Sequence, residues 1–132
     1  MNLEKILPAD GPNINEIQKY INKYKGEIIV IKCGGSVLTD QKLFDQFIED
    51  VSILNKLDLS ICLIHGGGIL ISKKLKEKNI PNKFINGLRI TNEDTIKVVE
   101  EALIELNLEI ISNLKKKNCN AQSITAKKKL II

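Results

Sequence analysis

Twice in this chain a short apolar run breaks off in glycines and gives way to a helical pattern. EIIVIK (27–32) runs into CGGS, and LSICLIH (59–65) runs into GGG. Each run is too short for a buried helix and rich in β-branched residues, the pattern of a strand covered on both faces. Between them Leu43, Phe44, Phe47, Ile48, Val51 and Leu54 fall at helical spacing within residues 40–56. Strand, helix, strand in that order predicts an α/β fold: a mainly parallel open sheet with helices on both faces. A crossover helix is what allows consecutive strands to run parallel.

The rest of the chain extends this pattern. Residues 1–13 carry Pro8, Gly11 and Pro12 and read as an irregular arm. Ile14, Ile17 and Ile21 predict an amphipathic helix from Asn13 to near Gly26. After the second glycine run, a helix is expected from about Ile69 to Lys78, closed by Asn79 and Pro81. KFINGLRIT (83–91) reads as strand and turn, and the T-N-E-D that begins at Thr91 has capping-box spacing, with Thr91 as N-cap. Ile96, Val99, Leu103, Leu106, Ile110 and Leu114 then mark a long helix. AQSIT (121–125) and KLII (129–132) read as a strand pair or one interrupted strand. A division follows into residues 1–26, arm and helix, and residues 27–132, one α/β unit. A final strand that runs to Ile132 without turn or cap suggests the front part of something longer, incomplete at its C-terminus.

Composition excludes several functions. Net charge is only +4, and aromatics make up 4% of the chain, too few for the stacking platforms of a nucleic-acid binder. The densest basic runs, KKK at 115–117 and at 127–129, read as solvated helix ends and turns. No apolar run approaches the roughly 18 residues of a membrane span. The N-terminus lacks the basic start and apolar core of a secretory signal, so a cytoplasmic protein is expected. Cys33, Cys62 and Cys119 form no C-x-x-C pair and are odd in number, which reads as free thiols rather than disulfides or a zinc site.

The glycine turns carry the chemistry. At the carboxyl ends of parallel strands, a glycine turn opening a helix lets backbone N–H groups approach an anion. Such glycines are also free to adopt φ > 0. Two turns on strands adjacent in sequence could face two anionic ligands. Lys32, just before the first turn, can neutralise phosphate oxygens as a point charge. Arg89, the single arginine beside 19 lysines, lies past a third glycine, Gly87, and can grip a carboxylate with two parallel hydrogen bonds. His65 reads most simply as a hydrogen-bonded residue at a strand end. Neither a P-loop nor a G-x-G-x-x-G fingerprint is present.

VIKCGGS, LIHGGGILI and FINGLRIT, in this order and at these separations, resemble the amino acid kinase family over roughly residues 14 to 125. HGGG followed by GLRIT is most similar to its members that phosphorylate N-acetyl-L-glutamate. Asn107, in ELNLEII, resembles the asparagine of the family's VNK-type helix. The resemblance makes residues 27–132 the N-terminal, substrate-binding part of a kinase domain. It implies ATP as co-substrate, with Mg2+, and the side-chain carboxylate of N-acetyl-L-glutamate as acceptor. The product is an acyl phosphate on the route to arginine. Lys32 would stabilise charge on the phosphoryl group in flight, and Gly34 and Gly35 would offer N–H groups to ATP phosphates. Gly67 and Gly68, with Gly66 shaping the turn, would hold the substrate, and Arg89 would bind its α-carboxylate. No protein ligand to a metal is implied. The sequence departs from the family where Ser123, Ala126 and Lys128 stand for Gly, Gly and Asp. Two alternatives stay open: a truncated, non-catalytic relative that binds an acidic amino acid or a partner chain, and a kinase for a related carboxylate such as an aminoadipate derivative. The helix at 13–25 could pack on another subunit in a homo-oligomer, or cover its own domain.

Overall fold

The computed structural model describes residues 3–125. A single 3-10 turn at Leu3–Lys5 precedes α1 (Ile14–Tyr24), β1 (Ile28–Cys33), α2 (Gly35–Thr39), α3 (Gln41–Lys56) and β2 (Ser60–His65). Then come α4 (Gly68–Glu77), β3 (Phe84–Ile85), β4 (Leu88–Arg89) and α5 (Glu93–Lys116). β1 and β2 pair in parallel, from Ile28 beside Ser60 to Cys33 beside His65. β3 and β4 form a separate antiparallel hairpin. Its two-residue loop has both central residues at positive φ, Asn86 at 48° and Gly87 at 78°, as a type I′ turn requires.

Local chemistry fixes the helix ends. Asn13 caps α1 by accepting from the Asn15 N–H at 2.8 Å, and Asp40 caps α3 by accepting from Leu43 at 3.0 Å. Three helices then end in one motif. Asp58, Asn79 and Asn118 sit at φ 63°, 55° and 64°, the left-handed conformation that ends a helix. In each case the next residue's N–H bonds back to a carbonyl five residues earlier: Leu59 to Leu54 (3.3 Å), Ile80 to Leu75 (2.9 Å) and Cys119 to Leu114 (3.0 Å). Those same apolar pairs sit in the three core clusters, so the ends of α3, α4 and α5 are each locked by a buried contact.

The clusters follow the layers. Phe44, Ile48 and Val51 of α3 meet Ile110 and Leu114 of α5, with Ile61 and Leu63 of β2 against them. Leu57 and Leu59 join Leu3 of the arm and Ile17 of α1, with Ile29 of β1 packed alongside. Ile71 and Leu75 of α4 pack on Val98 and Ala102 of α5. Leu75 is fully enclosed, a burial that stabilises by about 1.5–3 kcal/mol.

Four expectations change. The strands are not covered on both faces: Ile28, Val30 and Ile64 are 70%, 59% and 52% exposed. Side chains alternate, so Ile28, Val30 and Lys32 share one face with Ser60, Cys62 and Ile64, while Ile29, Ile61 and Leu63 take the packed face. A continuous apolar run cannot show which of its faces finds a partner. Asn92, not Thr91, caps α5, accepting from the Thr95 N–H at 2.9 Å, while the Thr91 hydroxyl donates to the Arg89 carbonyl at 3.3 Å. Ile96 is half-exposed, and Thr95, Val98 and Ala102 carry the first buried turns of α5. Residues 121–125 are not a strand, and KLII, with Ala126 and Lys128, lies outside the described residues.

Candidate active site

The parallel register carries both glycine turns to the same end of the β1–β2 pair, because Cys33 lies beside His65 and each turn follows directly. They touch: a Cβ on Gly35 would meet Ile69 Cδ1 at 3.4 Å. None of the five glycines uses a positive φ; among the described residues only Gly26 and Gly87 do. The freedom expected of these turns is therefore not torsional. What glycine supplies is space, and it does so differently in the two.

In the first turn, Gly34 caps α2 in an extended conformation (φ −82°, ψ 164°) with no side-chain cap bond, and a Cβ there would meet nothing within 4 Å. α2 is five residues long, so a short helix precedes α3 where one helix was expected. Lys32, one residue before Cys33, is exposed on the open strand face and has no ion-pair or hydrogen-bond partner among the described residues. Cys33 is buried behind it, and burial pushes its thiol up.

In the second turn, Gly66 and Gly68 also look onto open space, but Gly67 does not. A Cβ on Gly67 would lie 2.9 Å from Leu103 Cδ2 and 3.4 Å from both Ile71 and Leu106. Gly67 lets the turn pack directly on α5, one helical step from the half-buried Asn107. It also caps α4 without a side-chain bond, leaving the first N–H groups of a ten-residue helix unclaimed by a cap side chain. His65 Nδ1 lies 3.2 Å from the Gly66 carbonyl oxygen, a contact that only the Nδ1–H tautomer makes as a bond. Its ring is thus tied to the turn backbone.

Arg89 reaches this second turn from β4. Its Nη2 donates to the Gly68 carbonyl at 3.3 Å and to the Ser72 hydroxyl at 3.2 Å, and its Nη1 donates to Asn82 Oδ1. Phe84 lies against the guanidinium face, with 4.7 Å between Cζ and the ring centroid. The β3–β4 register, Phe84 beside Arg89, sets that contact. Every oxygen on Arg89 is neutral, and no carboxylate pairs with it among the described residues. A half-buried guanidinium with an uncompensated charge is arranged for an anion.

Ser72, Asn82 and Phe84 were not singled out in the sequence. Ser72 is one polar residue on a helix, and Asn82 a loop residue after Pro81; neither has a local pattern to mark it. Two concavities among the described residues lie away from the turns. One is apolar, between Leu7, Pro8, α1 and α3, and the other polar, beside Glu49 and Lys117. The glycine turns, Lys32 and Arg89 lie outside both. No group of three or more His, Cys, Asp or Glu side chains could hold a metal ion among the described residues. No helix among them is long and apolar enough to cross a membrane.

Known proteins resemble this chain in sequence and in fold. The chain is 54% identical over 130 residues to the acetylglutamate kinase of Pelagibacter ubique (strain HTCC1062), an alignment covering 98% of this chain and 45% of the relative. It is 34% identical over 126 residues to the acetylglutamate kinase of Pelobacter propionicus, covering 95% and 43%. The chain thus spans less than half the length of the curated relatives it matches. Among solved structures, the protein smu.665 of Streptococcus mutans UA159 superposes with a TM-score of 0.66 at 29% identity, covering 76% of this chain and 40% of that one. N-acetylglutamate synthase of Neisseria gonorrhoeae shares the fold, with a TM-score of 0.64 at 19% identity over 78% of this chain and 24% of that one. The profile of the amino acid kinase family matches residues 27–132, and the chain belongs to that family.

Proposed function

We propose that this chain is the substrate-binding part of a kinase that phosphorylates the side-chain carboxylate of N-acetyl-L-glutamate with ATP, giving an acyl phosphate for arginine biosynthesis. The observation that carries the reading is Arg89: a guanidinium without an acid partner, fastened to the start of α4 at Gly68. The two acetylglutamate kinases similar to it at 54% and 34% identity support the reading.

The chemistry follows from charge. Donor and acceptor are both anions, so catalysis is mainly positioning and neutralisation. Arg89 takes the α-carboxylate of the amino acid. The N–H groups at Gly67 and Gly68, with Gly66 leaving room, face the carboxylate that will react. Across the strand pair, Gly34 and Gly35 approach the ATP phosphates with backbone N–H groups. Lys32, with no acid paired to it among the described residues, carries positive charge to the phosphoryl group as it moves between the two oxygens. His65 takes no part in proton transfer. Mg2+ is expected to arrive on the nucleotide, since the described residues offer no ligand cluster of their own. A cytoplasmic location suits such a reaction.

A chimaera tests this: residues 1–132 joined to the remaining length of the Pelagibacter ubique relative. With ATP and N-acetyl-L-glutamate it should yield an acyl phosphate that hydroxylamine traps as hydroxamate. A folded chimaera that forms none would contradict the reading, and a preference for an aminoadipate derivative would move the substrate within the same class. The open face of the β1–β2 pair favours one other reading, in which the short chain binds the amino acid without catalysis. The 132 residues alone would then bind N-acetyl-L-glutamate and form no hydroxamate, while the chimaera would also stay inactive.

A further inference from the structure

Arg89 is not held by chance contacts. The Ser72 hydroxyl donates to the Gly68 carbonyl at 2.8 Å, one turn back along α4. Its oxygen accepts from Asn82 Nδ2 at 3.1 Å and from Arg89 Nη2 at 3.2 Å. Asn82 in turn accepts from Arg89 Nη1 with its amide oxygen. Arg89, Ser72, Asn82 and the Gly68 carbonyl therefore close a ring of hydrogen bonds. Each member orients the next: the Asn82 Nδ2 bond to Ser72 fixes which way its amide points, and so presents Oδ1 to the guanidinium. Phe84 limits movement from the ring face. The ring contains one formal charge and three neutral partners.

We infer that Ser72 and Asn82 are positioning residues that hold the Arg89 guanidinium against the α4 turn without neutralising it. This inference rests on the carboxylate-binding reading of the site and deepens it. An aspartate at either place would orient the arginine as well, yet would consume the charge an anionic substrate needs. An alanine would leave the charge but free the side chain, and ordering it would then oppose binding. A neutral oxygen satisfies both demands, and serine and asparagine are the side chains that also donate onward to complete the ring.

Because Arg89 is the single arginine among the 132 residues, its guanidinium can be watched without assignment. In 15N-labelled chain at low temperature, the Nη–H signals should be split by restricted rotation about the Cζ–N bonds. Ser72→Ala and Asn82→Ala should each speed that rotation, and together average the signals. Asn82→Asp should keep them split. Both Asn82→Ala and Asn82→Asp should weaken N-acetyl-L-glutamate binding by about tenfold or more, the effect of a charge-assisted bond. They would do so for opposite reasons, the first from lost order and the second from lost charge. A merely structural role would lower stability without this separation. Averaged signals in the unsubstituted chain, or signals the alanine variants leave unchanged, would overturn the positioning. Split signals that the variants release, but that N-acetyl-L-glutamate never perturbs, would support the positioning and sink the ligand assignment.

Discussion

The two glycine turns lie side by side at one end of the same strand pair, yet they are built to different standards. The HGGG turn is packed from behind, where Gly67 admits Leu103, Leu106 and Ile71, and tied in front, where Arg89 spans to Gly68. The CGGS turn meets Ile69 at Gly35 but has no comparable packing at Gly34 and no arginine tied to it among the described residues. Gly34 faces open space, α2 beyond it is five residues long, and Lys32 stands on a strand face that nothing covers among the described residues. The difference teaches that the HGGG turn, the proposed carboxylate side, is preorganised within the described residues, while the CGGS turn, the proposed phosphate side, is not.

Substitutions can break or sharpen that contrast. Lys32→Met should have the largest effect. In the chimaera it should lower kcat by roughly 100- to 1000-fold, the scale of losing one group aimed at developing charge. KM for N-acetyl-L-glutamate and thermal stability should stay nearly unchanged, because exposed Lys32 has no ion-pair or hydrogen-bond partner among the described residues. A change in KM alone would move Lys32 out of the phosphoryl path.

Gly67→Ala and Gly34→Ala form a matched pair. The first forces a methyl against Leu103 and should destabilise by about 1–3 kcal/mol, a typical cost of overpacking. The second adds a methyl in open space at a φ any residue adopts, and should leave stability within about 0.5 kcal/mol or raise it slightly. Chemical denaturation measures both. Equal effects would show that the turns are supported alike.

Thiol labelling probes the open strand face. Burial pushes the Cys33 and Cys119 thiols up, reducing their thiolate. Cys62 is half-buried on the open face. Mild alkylation near pH 8 followed by mass mapping should modify Cys62 first, about tenfold faster than the other two. Equal labelling would mean that the packed face is open too. The smallest effect belongs to the surface. The hydrogen bond from Lys117 holds the Glu49 carboxyl below its usual range. A depressed carboxyl pKa adds stability above the ordinary carboxylate range, and that stability is lost as pH falls through the lowered value. Lys117→Met should remove no more than about 0.5 kcal/mol, and only above that window, since the pair is exposed.

Much of this was legible in the sequence because it is local. The strand runs, the α3 and α4 spacing, the start of α1 from Asn13 and the turn in KFINGLRIT each depend on a few consecutive residues. Asp58 and Asn118 end helices just as Asn79 does, but no proline follows them to give the signal. α2 was missed because five residues, GSVLT, are too few to show a period. Thr91 had the spacing of a cap and lost to Asn92, whose amide oxygen accepts from the Thr95 N–H while the Thr91 hydroxyl turns back to the Arg89 carbonyl. The site was half legible. Glycines announce themselves by clustering and a lone arginine by rarity, whereas Ser72 and Asn82 matter only because folding brings α4 and the loop after it against β4.

The most direct test of the unequal turns is calorimetric titration of the 132-residue chain, checked for native circular dichroism, with N-acetyl-L-glutamate and separately with ATP. N-acetyl-L-glutamate should bind, Arg89→Ala should weaken it by roughly 10- to 100-fold, and ATP should bind more weakly than the amino acid. A folded chain that binds ATP the more tightly, or holds N-acetyl-L-glutamate equally well without Arg89, would contradict a carboxylate site preorganised at HGGG.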